Sequence, residues 1–164
     1  MSGLAQRFLE SCRAHPEACF LTHAQGEGLA HVTYGEAGRR AGAGAGHLVS
    51  RGVRPGDRVA FITPKSPEQI YLFYACWWAG AVAVPVSEGL ADAEMAFVLR
   101  DAEPGLLVAS EACLAAARRN AGGVPVVGLD ELSAAAAPAA VAAPAAAGED
   151  TLACLIYTSG STGR

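Results

Sequence analysis

The stretch RVAFITPKSPEQIYLFYACWWAGAVAVPV, residues 58–86, reads as strand, helix and strand in succession. Arg58 to Thr63 is a short run of strand-forming residues. Ser66-Pro67-Glu68-Gln69 is a helix start, with a capping hydroxyl, a proline at the first helical position and a glutamine placed to return to the cap. The helix that follows is apolar on almost every side through Tyr71, Phe73, Tyr74, Trp77 and Trp78, so it belongs between a sheet and another layer. Gly80 ends it. Ala81 to Val86 is the next strand, with Pro85 favouring a sheet edge or a strand end. Ile70 to Val86 is uncharged, but it is shorter than the roughly 20 residues of a spanning helix and is broken by Gly80 and Pro85. A buried helix and strand account for it without a transmembrane segment.

The alternation continues outward. Met95, Val98, Leu99 and Ala102 mark a helix ending before Pro104, Leu106 to Ala109 a strand, Ser110 to Asn120 a helix and Val124 to Val127 a strand. Upstream, Thr33 can cap a helix running to about Arg51, with Glu36 reaching back to the cap amide. Ala37, Ala41, Ala45, Leu48 and Val49 make its buried face, and Arg39, Arg40, His47 and Arg51 lie outside. Gly52 suits the left-handed position after its end. Ala18 to Thr22 and Leu29 to Thr33 flank Ala24-Gln25-Gly26-Glu27-Gly28 as a hairpin, and Leu4, Phe8, Leu9 and Cys12 form the stripe of a first helix stopped by Pro16. The expected fold class is α/β: a mostly parallel sheet with helices on both faces, plus a small N-terminal β-hairpin.

The chain has 164 residues, 52% of them hydrophobic, so it can bury a core and is not disordered as a whole. A net charge of −4 offers no positive field to gather nucleic acid. Cys12, Cys19, Cys76, Cys113 and Cys154 are scattered, without the paired spacing of zinc or redox sites. A reducing cytoplasm is the simplest compartment, and the first residues do not read as a secretory signal. His15, His23, His31 and His47 are dispersed, and no metal ligands are assigned. Cys154, in an apolar strand, reads as a small buried hydrophobe rather than a nucleophile.

Residues 133–148 are almost entirely alanine with Pro138 and Pro144, a surface linker with little core to offer. Leu152 to Tyr157 resumes a buried strand, and Thr158-Ser159-Gly160-Ser161-Thr162-Gly163 follows. Small hydroxyl residues and glycines after a strand present hydroxyls and open amides, the donors that a polyanion such as a triphosphate needs. Thr158, Ser159, Ser161 and Thr162 are the candidate donors, and Gly160 and Gly163 let the backbone approach the phosphates. An ordinary polar turn is the alternative. The spacing is not that of the GxxxxGK[ST] loop. Gly42-Ala43-Gly44-Ala45-Gly46 lies inside a capped helix, where close helix packing explains it better than a dinucleotide site.

Tyr157-Thr158-Ser159-Gly160-Ser161-Thr162-Gly163 resembles the phosphate-loop signature of the adenylate-forming enzymes, the superfamily of acyl-CoA synthetases, peptide-synthetase adenylation domains and luciferases. Two further stretches agree: Val32 to Glu36 leading to Gly52 to Ala60, and Ala79 to Val86. Val86-Ser87-Glu88-Gly89 departs from the family's commoner corner, and the chain stops at Arg164 before the lysine that normally follows the loop. The resemblance implies that residues 1–164 are the N-terminal portion of the large domain of such an enzyme, inactive alone, with no catalytic residue of its own and the remainder of the enzyme as partner. It implies a parent ligase that uses ATP and Mg²⁺ to turn a carboxylic acid into an acyl adenylate. The acyl group then passes to coenzyme A or to the phosphopantetheine thiol of a carrier protein. The rival reading is a non-catalytic N-terminal subdomain used for binding or assembly.

Overall fold

The computed structural model describes residues 3–133, 143–148 and 150–158. Helix α1 (Leu4–Ala14) precedes a hairpin of β1 (Cys19–Gln25) and β2 (Gly28–Thr33) and the long helix α2 (Tyr34–Ser50). There follow β3 (Arg58–Ile62), α3 (Pro67–Trp78), β4 (Val82–Val86), α4 (Asp92–Ala102), β5 (Leu106–Ala109), a 3₁₀ turn at Glu111–Cys113, α5 (Leu114–Asn120), β6 (Val126–Gly128) and α6 (Leu129–Ser133). The last strand begins two residues later than the sequence suggests, and α6 was not anticipated.

The four strands β4, β3, β5 and β6 lie in that order and are all parallel. From β3 the chain steps one way to β4, then crosses back over β3 to β5 and on to β6. With one crossover hand, steps in opposite directions put their helices on opposite faces. The packing obeys this. Val59, Phe61, Ala83 and Val108 join the cluster formed with α1, α2 and α3, whereas Ala60, Ile62, Val84 and Leu107 join the cluster formed with α4 and α5. Alternate strand residues therefore feed two cores, as a sheet buried on both faces requires.

Local signals explain the elements. Thr33 accepts from the Glu36 amide at 3.2 Å, and Ser66 accepts from the Gln69 amide at 3.4 Å, so both expected caps form. Neither acidic nor amide side chain returns to its cap: Glu36 pairs with Arg40 at 2.7 Å, and Gln69 Nε2 donates to the Thr63 carbonyl at 3.2 Å. Gly26, with φ of 59°, starts a two-residue turn that closes the hairpin at Gln25 and Gly28. Phe8, Phe20, Tyr34 and Tyr74 then stack together, Phe8 and Tyr74 at 3.9 Å between ring centres, and fasten α1 and the hairpin to α3.

Helices α2 and α3 meet through small residues. A Cβ on Gly44 would stand 3.0 Å from Ala75 Cβ, and towards α1 one on Gly38 would stand 2.9 Å from Cys12 Sγ. Close packing, rather than a nucleotide site, is what the glycines of α2 support. Its rotation differs from expectation: His47 is buried, whereas Val49 is exposed. Leu4, placed on the buried stripe of α1 by its spacing, is also exposed. No helix among the described residues is long and apolar enough to cross a membrane.

Candidate functional site

Parallel sheets place their working loops beyond the carboxyl ends of the strands, above all where neighbouring strands send their connections in opposite directions. Here that point lies between β3 and β5. Thr63 follows one strand and Ser110 the other, joined by the Ser110 amide donating to the Ile62 carbonyl at 3.1 Å. Thr63 Oγ1 and Ser110 Oγ are buried with no hydrogen-bond partner among the described residues. Sequence patterning singled out neither residue, because a lone hydroxyl at a strand end has no periodic signature.

The predicted loop leaves from another place, beside β4. Cys154 bridges Ala83 in the parallel sense. The Ala83 amide donates to the Ala153 carbonyl at 3.1 Å, and the Leu155 amide donates to the Ala83 carbonyl at 2.9 Å. Cys154 packs at the margin of the cluster under α3, and Leu155 and Tyr157 pack at the margin of the cluster under α4. Among the described residues the segment lies at the sheet's edge, with Leu152 and Ile156 53% and 71% exposed where the sequence suggests a buried strand. An apolar run records that its residues favour cover, but not which element covers them. Among the described residues only β4 pairs with it.

Two side chains hold this edge. Trp77 Nε1 donates to the Ala153 carbonyl at 2.8 Å, and Tyr157 Oη donates to Asp101 Oδ2 at 2.6 Å. Thr158, the first candidate donor, follows directly and is exposed. Ser159, Gly160, Ser161, Thr162 and Gly163 lie outside the described residues, as do 134–142 of the predicted linker. Its described end is fastened, because the Ala145 amide donates to the Trp78 carbonyl at 2.9 Å.

Burial, then the hydrogen bond to Asp101 and its charge, push the Tyr157 phenol up to about 12, with Arg58 opposing. An unfolded tyrosine titrates near 10, so folding favours the protonated phenol. That contribution is whole below about pH 10 and is lost as pH rises towards 12. Tyr157→Phe is therefore expected to flatten the pH dependence of stability between about pH 10 and 12. Denaturant midpoints of both proteins across that range check this, and parallel curves would count against the bond. Nearby, burial and then Cys154 push the Cys76 thiol up to about 12, and burial raises Cys154. Neither is an activated nucleophile.

Comparison with known proteins gives this arrangement a family. The AMP-binding enzyme family matches residues 8–164, and the chain belongs to it. Feruloyl-CoA synthase from Amycolatopsis sp is 36% identical over 163 residues, which is 99% of this chain and 32% of that protein. Malpinin synthetase from Mortierella alpina is 34% identical over 164 residues, covering 98% of this chain and 2% of that one. The solved structure of O-succinylbenzoate Coenzyme A synthetase from Bacillus subtilis in complex with AMP matches with a TM-score of 0.84 at 28% identity, over 95% of this chain and 39% of the other. The chain thus spans about a third of the feruloyl-CoA synthase and a small part of the malpinin synthetase.

Proposed function

We propose that residues 1–164 form the N-terminal portion of an ATP-dependent ligase that activates a carboxylic acid as its acyl adenylate. Thr158, Ser159, Gly160, Ser161, Thr162 and Gly163 hold the ATP phosphates. The acyl group then passes to a thiol, that of coenzyme A or of a carrier protein's phosphopantetheine, in the cytoplasm. The observation that carries the reading is the position of Thr158: an exposed hydroxyl residue directly after a tethered edge segment parallel to β4, in a chain of the AMP-binding family.

The chemistry replaces a poor leaving group with a good one. A carboxylate oxygen attacks the α-phosphorus of ATP, and the bond to the bridging oxygen breaks as pyrophosphate departs. A thiolate then attacks the acyl carbon of the mixed anhydride, and AMP leaves. The loop's hydroxyls and amides orient the phosphates and stabilise charge on the departing pyrophosphate, and they transfer no proton. Mg²⁺ belongs to the reading as companion of the phosphates. Among the described residues no group of three or more His, Cys, Asp or Glu side chains could hold it.

Carboxylate-dependent exchange of labelled pyrophosphate into ATP tests the reading, with the protein as its gene encodes it. The similarity to feruloyl-CoA synthase puts cinnamic-type acids first in the panel, followed by fatty and amino acids. Exchange is expected with ATP and one class of acid. Thr158→Ala should raise the KM for ATP roughly 10- to 100-fold, the equivalent of about 1.5–3 kcal/mol for a hydrogen bond to a charged group. Absence of exchange with every acid would favour the non-catalytic binding or assembly module.

A further inference from the structure

We propose that Trp77 and Asp101 are positioning residues for the phosphate loop, clamping its launching segment from opposite faces of the sheet. This rests on the assignment of the loop to ATP. Among the described residues two ladder bonds join the segment to β4, both on Ala83, and the later one ends at Leu155. Thr158 lies three residues beyond.

Two side chains extend this hold beyond the ladder. Ala153 O accepts both from the Ala83 amide and from Trp77 Nε1, so the indole fixes the start of the segment on the α3 side. Trp77 is itself held edge-on against Tyr74, with 5.1 Å between ring centres. At the other end, the phenol of Tyr157 reaches Asp101 in the last turn of α4. That turn is anchored in its own right, because Arg58 Nη2 donates to the Glu103 carbonyl at 2.9 Å and meets the Glu103 carboxylate at 3.2 Å. A continuous set of contacts therefore runs from β3 through the end of α4 to the residue immediately before Thr158. Phosphoryl chemistry is sensitive to this, since a misplacement of about 1 Å in a positioning group can cost roughly a hundredfold in rate.

The test uses the protein as its gene encodes it, with Trp77→Phe, Asp101→Ala and Asp101→Asn. Pyrophosphate exchange gives the KM for ATP and for the carboxylic acid, and amide hydrogen exchange without nucleotide reports on residues 153–158. Trp77→Phe and Asp101→Ala are expected to raise the KM for ATP about tenfold, to leave that for the acid within about twofold, and to speed exchange at the Leu155 amide. Asp101→Asn keeps an acceptor for the phenol and should restore most of the ATP affinity. Unchanged hydrogen exchange overturns the clamp. An active wild type whose variants keep its KM for ATP, or lose both affinities equally, overturns the positioning role. A wild type without pyrophosphate exchange overturns the ATP assignment and the positioning role with it, whereas the clamp still stands or falls by its amide exchange.

Discussion

Replacing Phe61 by alanine is expected to destabilise the protein by about 3–5 kcal/mol, the usual range for deleting a buried aromatic ring. Phe61 sits on β3, which is paired on both sides by β4 and β5, and it has no exposed surface. Its ring meets Phe73 edge-on, with 4.9 Å between centres, so it fills the layer between the sheet and α3. The cluster that holds it includes Ala41, Ala45 and Ala75, whose side chains cannot reach further, and α2 and α3 are already close where Gly44 faces Ala75. The full cavity cost should therefore appear. Urea unfolding measures it, and a loss below about 1.5 kcal/mol would mean that the layer is looser than its packing indicates.

Gly80→Ala is expected to cost roughly 2–4 kcal/mol, combining a left-handed backbone with overpacking. Gly80 has φ of 75°, and a Cβ there would stand 2.8 Å from Ala145 Cβ and 3.3 Å from Pro55 Cα. Backbone atoms cannot rotate away. The Gly80 carbonyl also accepts the Gly56 amide at 2.9 Å, so any shift is passed to the turn that starts β3. Gly26→Ala isolates the first component: its φ is 59°, but nothing lies within 4 Å of the added Cβ. A cost of about 1 kcal/mol is expected there. Equal losses at the two sites in urea unfolding would remove the steric half of the argument.

These sites also show what a sequence can and cannot disclose. Caps at Thr33 and Ser66, Pro67 at the first helical position and the stop at Gly80 are local chemistry, and the elements they bound were legible. The rotation of α2 was not. Alanine and glycine fill most positions between Ala37 and Gly46, leaving no large side chain to fix which face turns inward. Helix α6, which the sequence did not reveal, packs against α2, and its Glu131 meets Arg51 at 3.3 Å. The candidate donors at Thr158 and beyond follow from residue type alone. Their supports do not: Trp77 and Asp101 lie 76 and 56 residues from the groups they hold, and no local pattern joins positions so far apart.

The glycine and alanine contact between α2 and α3 has a thermodynamic corollary. Neither residue has a rotamer to surrender, so bringing these helices together orders main chain without freezing side-chain torsions. The same economy removes any give. A longer side chain could swing aside to admit a newcomer, but the Ala75 methyl cannot, and drift at Gly44 should be confined to the smallest residues.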